Sequence, residues 1–264
     1  MPVRKSTATV LTCVLVAALA LTGCAVEVPP AAAPAPGPPR PSGPPHAREQ
    51  DGRPASARIP APPSPAPARL PGIGPLTQAR VPDGTTQALV VSGDNPDGNV
   101  ITAVLYERDR VTGRWRPTAG PWTGHNALRG WTDEHTAGDL RSPTGVYRIG
   151  DAGGRLPDPG ARIPYDENPL YAVSGTGFLG EPLEGSFDYV VAIDYNRVPG
   201  TAPLDKERPL GDDRGGGVWI HVDHGGPTQA CVSLPFENMA ELLRALDPTR
   251  GPVVVMGPAE VLAE

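Results

Sequence analysis

The hydrophobic positions of this chain fall mostly into short runs that alternate with polar residues or end at glycine and proline. Two such runs, 85–92 and 99–108, are rich in Val, Leu, Ile and Thr and flank the turn sequence Asn-Pro-Asp-Gly at 95–98. Further runs with strand character cover 145–149, 189–195, 218–222 and 253–256. This pattern predicts a mainly β domain, a sandwich or partly closed barrel with one or two short helices.

One segment, 235–246, has helical spacing. Its apolar residues recur near one face of a helix, and Pro235 suits a first helical turn. The apolar positions are Phe236, Met239, Leu242, Leu243 and Leu246. We expect that face to pack on the sheet rather than to bind a partner.

The first 23 residues have the anatomy of an export signal. Arg4 and Lys5 precede an apolar run that is too short for a comfortable membrane span, and the run ends in Leu-Thr-Gly before Cys24. This ending resembles a bacterial lipobox, which implies cleavage before Cys24 and lipidation of its sulfur. The alternatives are an ordinary signal peptide cleaved nearby and an uncleaved anchor.

The next segment, 24–75, has the composition of a linker. Sixteen of the 36 prolines lie between Pro29 and Pro71, mixed with Ala, Gly, Ser and Arg. Such a stretch lacks the large apolar side chains that would offset the entropy of ordering, so an extended spacer is predicted. The predicted organisation is therefore a signal peptide at 1–23, a lipidated linker at 24–75 and one folded domain at 76–264.

The charge balance excludes one class of partner. The chain has a formal net charge of −6, and removing residues 1–23 with Arg4 and Lys5 would bring it to about −8. An acidic chain without a basic patch is not typical of nucleic-acid binding. We expect membrane contact to come from the lipid, with the protein on the outer face of the cytoplasmic membrane and facing the cell wall.

Cys231 is the candidate nucleophile. It is the only cysteine outside the N-terminal segment that holds Cys13 and Cys24, so it has no partner for an intramolecular disulfide. His221 ends a strand-like run a short loop away and is the candidate base, with His224 in the glycine-rich loop as the competing base. The alternative is that Cys231 is a small buried hydrophobic residue.

The loop before Cys231 supplies candidates for the other parts of such a site. Backbone amides around Gln229, Ala230 and Cys231 are free to face a developing oxyanion. A backbone carbonyl near Val222 is the expected group that orients His221, with the Asp223 carboxylate as the alternative. A catalytic thiolate is expected to react with iodoacetamide well below the pH at which an ordinary thiol reacts.

Three segments carry a family resemblance. His221, Thr228 and Cys231 match the upstream His, the Ser/Thr and the Cys of the Ser/Thr-His-Gly-Cys motif of L,D-transpeptidases with a YkuD-type catalytic domain. The segment 138–147, Gly-Asp-Leu-Arg-Ser-Pro-Thr-Gly-Val-Tyr, is similar to a second family segment, and 190–196 is similar to a strand of an actinobacterial-like branch. Gln229 and Ala230 depart from the motif, and alanine would be strained if that position required a positive φ.

The resemblance implies an L,D-transpeptidase-like β-rich domain that acts on peptidoglycan stem tetrapeptides. Cys231 would form a thioester and release the terminal D-alanine, and an acceptor amine would complete a 3→3 cross-link. Thr228, His224 and Ser233 are the substrate-binding candidates, carbapenems are the implied inhibitors, and neither a metal nor an organic cofactor is implied. An L,D-carboxypeptidase, a catalytically degenerate wall-binding lipoprotein and a lipid-anchored adaptor are the alternatives, and the sequence predicts no oligomeric state.

Two other histidines carry little signal. His125 and His135 lie near two tryptophans but lack a Cys or carboxylate cluster at ligand spacing. Surface or packing roles are therefore expected for them, and the nearby acidic residues Asp133, Glu134 and Asp139 are expected in a solvated loop.

Overall fold

A computed structural model describes residues 68–264. Within these residues the chain forms twelve strands and three short α-helices. The strands are β1 Gln87–Gly93, β2 Val100–Arg108, β3 Trp115–His125, β4 Trp131–Thr132, β5 Ser142–Pro143, β6 Gly145–Arg148, β7 Ala152–Gly154, β8 Tyr165–Glu167, β9 Val190–Ala192, β10 Trp219–Val222, β11 Val232–Leu234 and β12 Val253–Pro258. The helices are α1 Pro75–Gln78, α2 Phe236–Ala245 and α3 Ala259–Leu262, and 3-10 turns cover Pro169–Tyr171, Asp212–Arg214 and Pro248–Arg250.

Ten strands form one mixed sheet. Their order is β6-β12-β1-β2-β3-β11-β10-β9-β7-β8, and β4 and β5 form a separate two-stranded parallel ladder. The pairs β1–β12, β10–β11 and β7–β8 are parallel, and the other pairs in the large sheet are antiparallel. The prediction of a mainly β fold with few short helices is confirmed.

The parallel pair β1–β12 is covered on both faces. Leu89 and Val91 face a large core that also holds α2, whereas Ala88 and Val90 face a second, smaller cluster. Strand β12 alternates in the same way between the two clusters. Burial on both faces explains why these strands read as continuous apolar runs rather than as alternating ones.

Helix α2 packs on the sheet with its apolar side, as its spacing predicts. Met239, Leu242 and Leu243 are fully buried in the main core. Pro235 caps the helix at its N-terminus rather than lying in its first turn. Phe236 is partly exposed and contacts the ring of Tyr189, with ring centroids 5.2 Å apart.

Strand β3 is absent from the sequence-based prediction although it pairs along most of its length with β2. It contains Pro117 and Pro121, residues that normally argue against a strand interior. The β2–β3 register shifts between Ala103 and Tyr106, so the irregular backbone absorbs these prolines. The strand matters here because its last residue, His125, pairs with Ser233 beside the candidate site.

Residues ahead of α1 belong to the packed part of the chain. Leu70 and Ile73, which the sequence assigned to the linker, are buried in the smaller cluster with Trp115 and Leu262. The amide of Gly74 donates to the Leu262 carbonyl at 2.8 Å and so ties this segment to α3. The predicted signal peptide, Cys24 and the linker up to residue 67 lie outside the described residues.

We predict that Leu70→Ala lowers the free energy of unfolding by roughly 2–4 kcal/mol, because its side chain is 1% exposed and truncation leaves a cavity. The matched control is Leu76→Ala, whose side chain is 65% exposed and which should change stability by less than about 0.5 kcal/mol. Urea unfolding of both variants measures the difference. Equal, small effects would show that the chain before α1 does not stabilise the domain.

Candidate active site

Cys231 and His221 come together through the parallel pairing of β10 and β11. Ile220 pairs with Val232 and His221 with Ser233, so Cys231 lies opposite Trp219. Residues two apart on a strand share a face, which places His221 diagonally across from Cys231. Both side chains line the same pocket. The predicted strand, loop and returning segment therefore bring the candidate base and nucleophile to one surface.

The thiol of Cys231 is held by backbone groups of the preceding strand. Its Sγ accepts a hydrogen bond from the Trp219 amide at 3.4 Å and lies 3.7 Å from the Gly217 carbonyl, to which it donates. Two hydroxyls fix the Cys231 carbonyl, Thr228 Oγ1 at 2.7 Å and Ser142 Oγ at 3.1 Å. The backbone at the nucleophile is thus fixed from two sides.

The hydroxyls of Thr228 and Ser142 are buried and bind the backbone at Cys231 rather than water. Thr228 is buried, although it contributes to the pocket wall, and Ser142 is fully buried in the segment 138–147 that carries the family resemblance. The Ser142 hydroxyl also accepts from the amide of Ala127 at 3.1 Å. The sequence analysis did not assign Ser142 a role, and only its place in that family-like segment pointed toward it.

His221 is oriented by its own strand. Its Nδ1 lies 2.9 Å from the Val222 carbonyl, which can only accept, so Nδ1 carries the proton and Nε2 is the basic nitrogen. The imidazole is buried, and the Phe187 ring meets it edge-on at a centroid distance of 5.3 Å. Of the two groups that the sequence offered to orient His221, the Val222 carbonyl contacts Nδ1 and the Asp223 carboxylate does not.

The Asp223 carboxylate contacts a different group. Its Oδ1 lies 2.8 Å from His125 Nδ1 and 2.5 Å from Ser233 Oγ, and its Oδ2 accepts from the Gly225 amide at 3.2 Å. These contacts lower the pKa of Asp223 although burial opposes the shift, and the Asp223 contact raises the pKa of His125. The cluster fixes the start of the loop that leads to Cys231.

Ser233 is a correction to the list of substrate-binding candidates. It is fully buried and is not part of the pocket wall. Its hydroxyl is used by Asp223 and by the backbone of His125, from which it receives a hydrogen bond at 3.3 Å. Ser233 therefore links β11 to β3 instead of facing a ligand.

His224 is held more firmly than its glycine-rich loop predicts. Its side chain is 6% exposed, and its Nδ1 lies 3.2 Å from Oε1 of Glu181. The ring stacks on that of His221, with centroids 5.8 Å apart and planes 11° from parallel. His224 also lines the pocket, so both histidines are available to a ligand there.

The pKa shifts of Cys231 and His221 both favour the neutral form. Desolvation raises the pKa of the Cys231 thiol to about 11, although the Trp219 amide opposes the shift. Desolvation lowers the pKa of His221 to about 4, although the Val222 contact opposes it. Both shifts disfavour a thiolate–imidazolium pair. The directions of these shifts do not favour the low-pH thiolate reactivity expected from the sequence, and the alkylation rate described below tests that expectation.

The candidate oxyanion donors, the amides of Gln229 and Ala230, belong to the pocket wall. Neither amide donates a hydrogen bond to a group in the described chain. Among residues 68–264, Leu140 and Asn196 are the non-glycine residues with positive φ. Ala230 thus adopts an ordinary backbone conformation, and its replacement of the motif glycine introduces no strain of the kind the sequence analysis anticipated.

The pocket has a volume of about 700 Å³. Five segments form its wall: 135–138, 173–187, 203–208, 215–221 and 224–231. Cations on its rim come from Lys206 and Arg208, and an aromatic side is formed by Phe187 and Trp219, whose rings meet edge-on at 5.1 Å. The sequence did not predict 173–187, which is rich in glycine, or 203–208, which is mostly charged, because neither segment carries a motif.

The two histidines other than His221 and His224 in the described part of the chain, His125 and His135, each contact a carboxylate. His125 contacts Asp223, and His135 Nδ1 lies 2.9 Å from Asp139 Oδ1, so Asp139 is not part of a freely solvated loop. The part of the chain that the structure describes holds no group of three or more His, Cys, Asp or Glu residues placed to bind a metal ion.

A strand-held imidazole, a thiol and free amides around one pocket define a candidate site for cysteine-dependent acyl transfer. The family model for the L,D-transpeptidase catalytic domain, YkuD, matches residues 91–255, and the chain belongs to this family. Comparison with curated proteins and with solved structures gives no match. Residues 68–264 contain no helix whose length and apolar character would let it span a bilayer.

We predict that alkylation of Cys231 by iodoacetamide is slow at neutral pH. A thiol pKa near 11 instead of 9 leaves about a hundredfold less thiolate at pH 7 than an ordinary thiol has, and the rate should rise about tenfold per pH unit toward pH 10. Mass spectrometry of the Cys231 peptide gives the rate at each pH.

The control is His221→Ala. A neutral imidazole does not stabilise a thiolate, so this substitution should leave the pH dependence of alkylation almost unchanged. A rate that levels off below pH 8 and loses that plateau in His221→Ala would instead show a preformed ion pair.

Proposed function

We propose that this protein is an L,D-transpeptidase that uses Cys231 to form 3→3 cross-links between peptidoglycan stem peptides. The observation that carries the proposal is the pairing of β10 with β11, which turns the Cys231 thiol and the His221 imidazole toward one pocket. Family membership supports peptidoglycan as the partner, since the YkuD domain is the catalytic domain of L,D-transpeptidases.

In the proposed acylation, Cys231 Sγ attacks the carbonyl that precedes the terminal D-alanine of a tetrapeptide stem. His221 Nε2 takes the thiol proton as the carbon–sulfur bond forms, because Nδ1 is bound to the Val222 carbonyl. The amides of Gln229 and Ala230 stabilise the oxyanion, and the same proton passes to the departing amine of D-alanine. A thioester on Cys231 remains.

In the second step an amine from a neighbouring stem attacks the thioester. His221 accepts a proton from that amine and returns it to the thiolate as the carbon–sulfur bond breaks, which restores the neutral pair. Water in place of the amine would give an L,D-carboxypeptidase. Both reactions need only side chains and amides of this chain.

One observation favours a catalytically degenerate wall-binding module instead. The thiol pKa is raised to about 11, which disfavours the nucleophilic form. Proton transfer to a neighbouring neutral imidazole during attack does not require a resting thiolate, and we therefore favour the enzyme. Turnover of a disaccharide-tetrapeptide decides between the two.

We predict that Cys231→Ala abolishes D-alanine release, dimer formation and covalent adduct formation with a carbapenem. His221→Ala should lower turnover about 10²–10⁴-fold through loss of the general base, and His224→Ala should cost less. Chromatography with mass spectrometry of the products measures all three reactions. An adduct that survives Cys231→Ala, or a His224 variant as impaired as the His221 variant, would contradict these roles.

We further propose that Cys24 carries lipid and that the proline-rich segment sets the distance between membrane and catalytic domain. The support is the Leu-Thr-Gly-Cys sequence at 21–24 and the composition of residues 25–67. Localisation on the outer face of the membrane follows from this proposal.

We predict that Cys24→Ala moves the protein from the detergent phase to the aqueous phase with unchanged activity on soluble stems. Deleting residues 29–66 spares buried Leu70 and should lower activity on intact wall but not on soluble fragments, because a short tether limits reach. Equal loss on both substrates would contradict the linker assignment.

A further inference from the structure

Glu181 lies behind the pocket wall and contacts the back of His224. The Glu181 side chain is 11% exposed, and its Oε1 lies 3.2 Å from His224 Nδ1. Both atoms are buried, and neither forms a hydrogen bond of good geometry with any group in residues 68–264, so this close electrostatic contact is the nearest polar interaction of each. Its Oε2 accepts a hydrogen bond from the Leu179 amide at 2.7 Å. Amide hydrogen bonds from its own loop and the nearby imidazole lower the pKa of Glu181, so the group is a carboxylate at neutral pH.

Two glycines make room for this carboxylate. A Cβ at Gly177 would come 2.0 Å from Glu181 Oε1, and a Cβ at Gly226 would come 2.2 Å from the same oxygen. Gly177 belongs to the 173–187 wall and Gly226 to the loop that leads to Cys231. The carboxylate is therefore enclosed between two segments that are far apart in the sequence, and it joins them at His224.

On the side away from Glu181, the His224 ring lies beside His221 and the pocket. Its ring is stacked on His221 and lines the pocket, whereas Glu181 does not line it. With Nδ1 only 3.2 Å from a carboxylate oxygen, the electrostatic field favours the proton on Nδ1 even without an aligned hydrogen bond, and this leaves Nε2 as a hydrogen-bond acceptor. Gln229 occupies the position of the motif histidine, so His224 supplies an imidazole that the motif position lacks.

We propose that Glu181 is a positioning residue that fixes the Nδ1–H tautomer and the orientation of His224, so that His224 Nε2 accepts a hydrogen bond from a peptide N–H of the bound stem. The role in substrate binding rests on the proposed function, whereas the tautomer and the orientation do not. Glu181 and His224 thus form one unit that acts beside the Cys231–His221 pair.

The kinetic test compares Glu181→Ala with Glu184→Ala, a matched substitution at an exposed glutamate in the same segment. Glu181→Ala should lower kcat/KM for a disaccharide-tetrapeptide about tenfold, because a misplaced substrate contact slows acylation. Glu184→Ala should have no effect. Glu181→Gln keeps the shape of the side chain but has one acceptor oxygen for two contacts, the Leu179 amide and His224 Nδ1, so it should recover only part of the loss.

A double-mutant cycle separates this role from general support of the loop. If Glu181 acts through His224, Glu181→Ala should add no further loss to His224→Ala. Gly226→Ala should reproduce the Glu181→Ala defect, since the new methyl group would displace the carboxylate. Losses that multiply in the double variant would overturn the proposal.

Nitrogen NMR of the histidine side chains in the full-length protein tests the tautomer without any assay of activity. His224 should be protonated at Nδ1 in the wild type and should shift toward a mixed state in Glu181→Ala. His135, whose Nδ1 faces Asp139, is the internal control and should not change. If the His224 tautomer is the same in Glu181→Ala as in the wild type, the positioning role is wrong. If the tautomer changes but the wild-type protein shows no turnover, only the proposed function is contradicted.

Discussion

The site depends on the parallel pairing of β10 with β11. Parallel neighbours in a sheet usually need a long crossover, yet here a short loop joins them directly. The loop is held by hydrogen bonds from outside itself: Thr228 donates its amide to Asn126, Leu128 donates to Thr228, and Asp223 donates to Leu234 at 2.7 Å. These contacts keep the register that places Cys231 diagonally opposite His221.

That register also determines the electrostatics. The Cys231 thiol contacts the Trp219 amide and the Gly217 carbonyl, and partial burial raises its pKa. The His221 imidazole is buried between Phe187 and His224, and its desolvation lowers its pKa. Each group therefore favours its neutral form. In the proposed reaction, the proton would therefore move from the thiol to the imidazole during attack rather than before it.

Much of this arrangement could be read from the sequence because it depends on local signals. The apolar runs of β1 and β12, the helical spacing of α2 and the lone Cys231 after a strand ending in His221 each carry their own pattern. Strand β3 could not be read, since its prolines contradict a strand and only its pairing with β2 makes it one. The carbonyl on His221 was predictable because it belongs to the adjoining residue.

The parts that sequence analysis missed are long-range contacts between unremarkable residues. Nothing near Glu181 indicates that its carboxylate contacts His224, and nothing near Ser142 indicates a hydrogen bond to the Cys231 carbonyl. Ser233 was misassigned for the same reason, because its partners Asp223 and His125 come from another strand and a loop. The contacts of the Cys231 thiol with the Trp219 amide and the Gly217 carbonyl likewise come from the neighbouring segment, which no local pattern around Cys231 reveals.

The most direct test of the account is to trap the acyl-enzyme with a disaccharide-tetrapeptide and no acceptor amine. The full-length protein is quenched within its first turnover, digested, and mapped by tandem mass spectrometry. The account predicts that the peptide containing Cys231 gains the stem shortened by one D-alanine, bound as a thioester that hydroxylamine removes. Acyl groups on any other residue, or release of D-alanine with no covalent intermediate on Cys231, would contradict it.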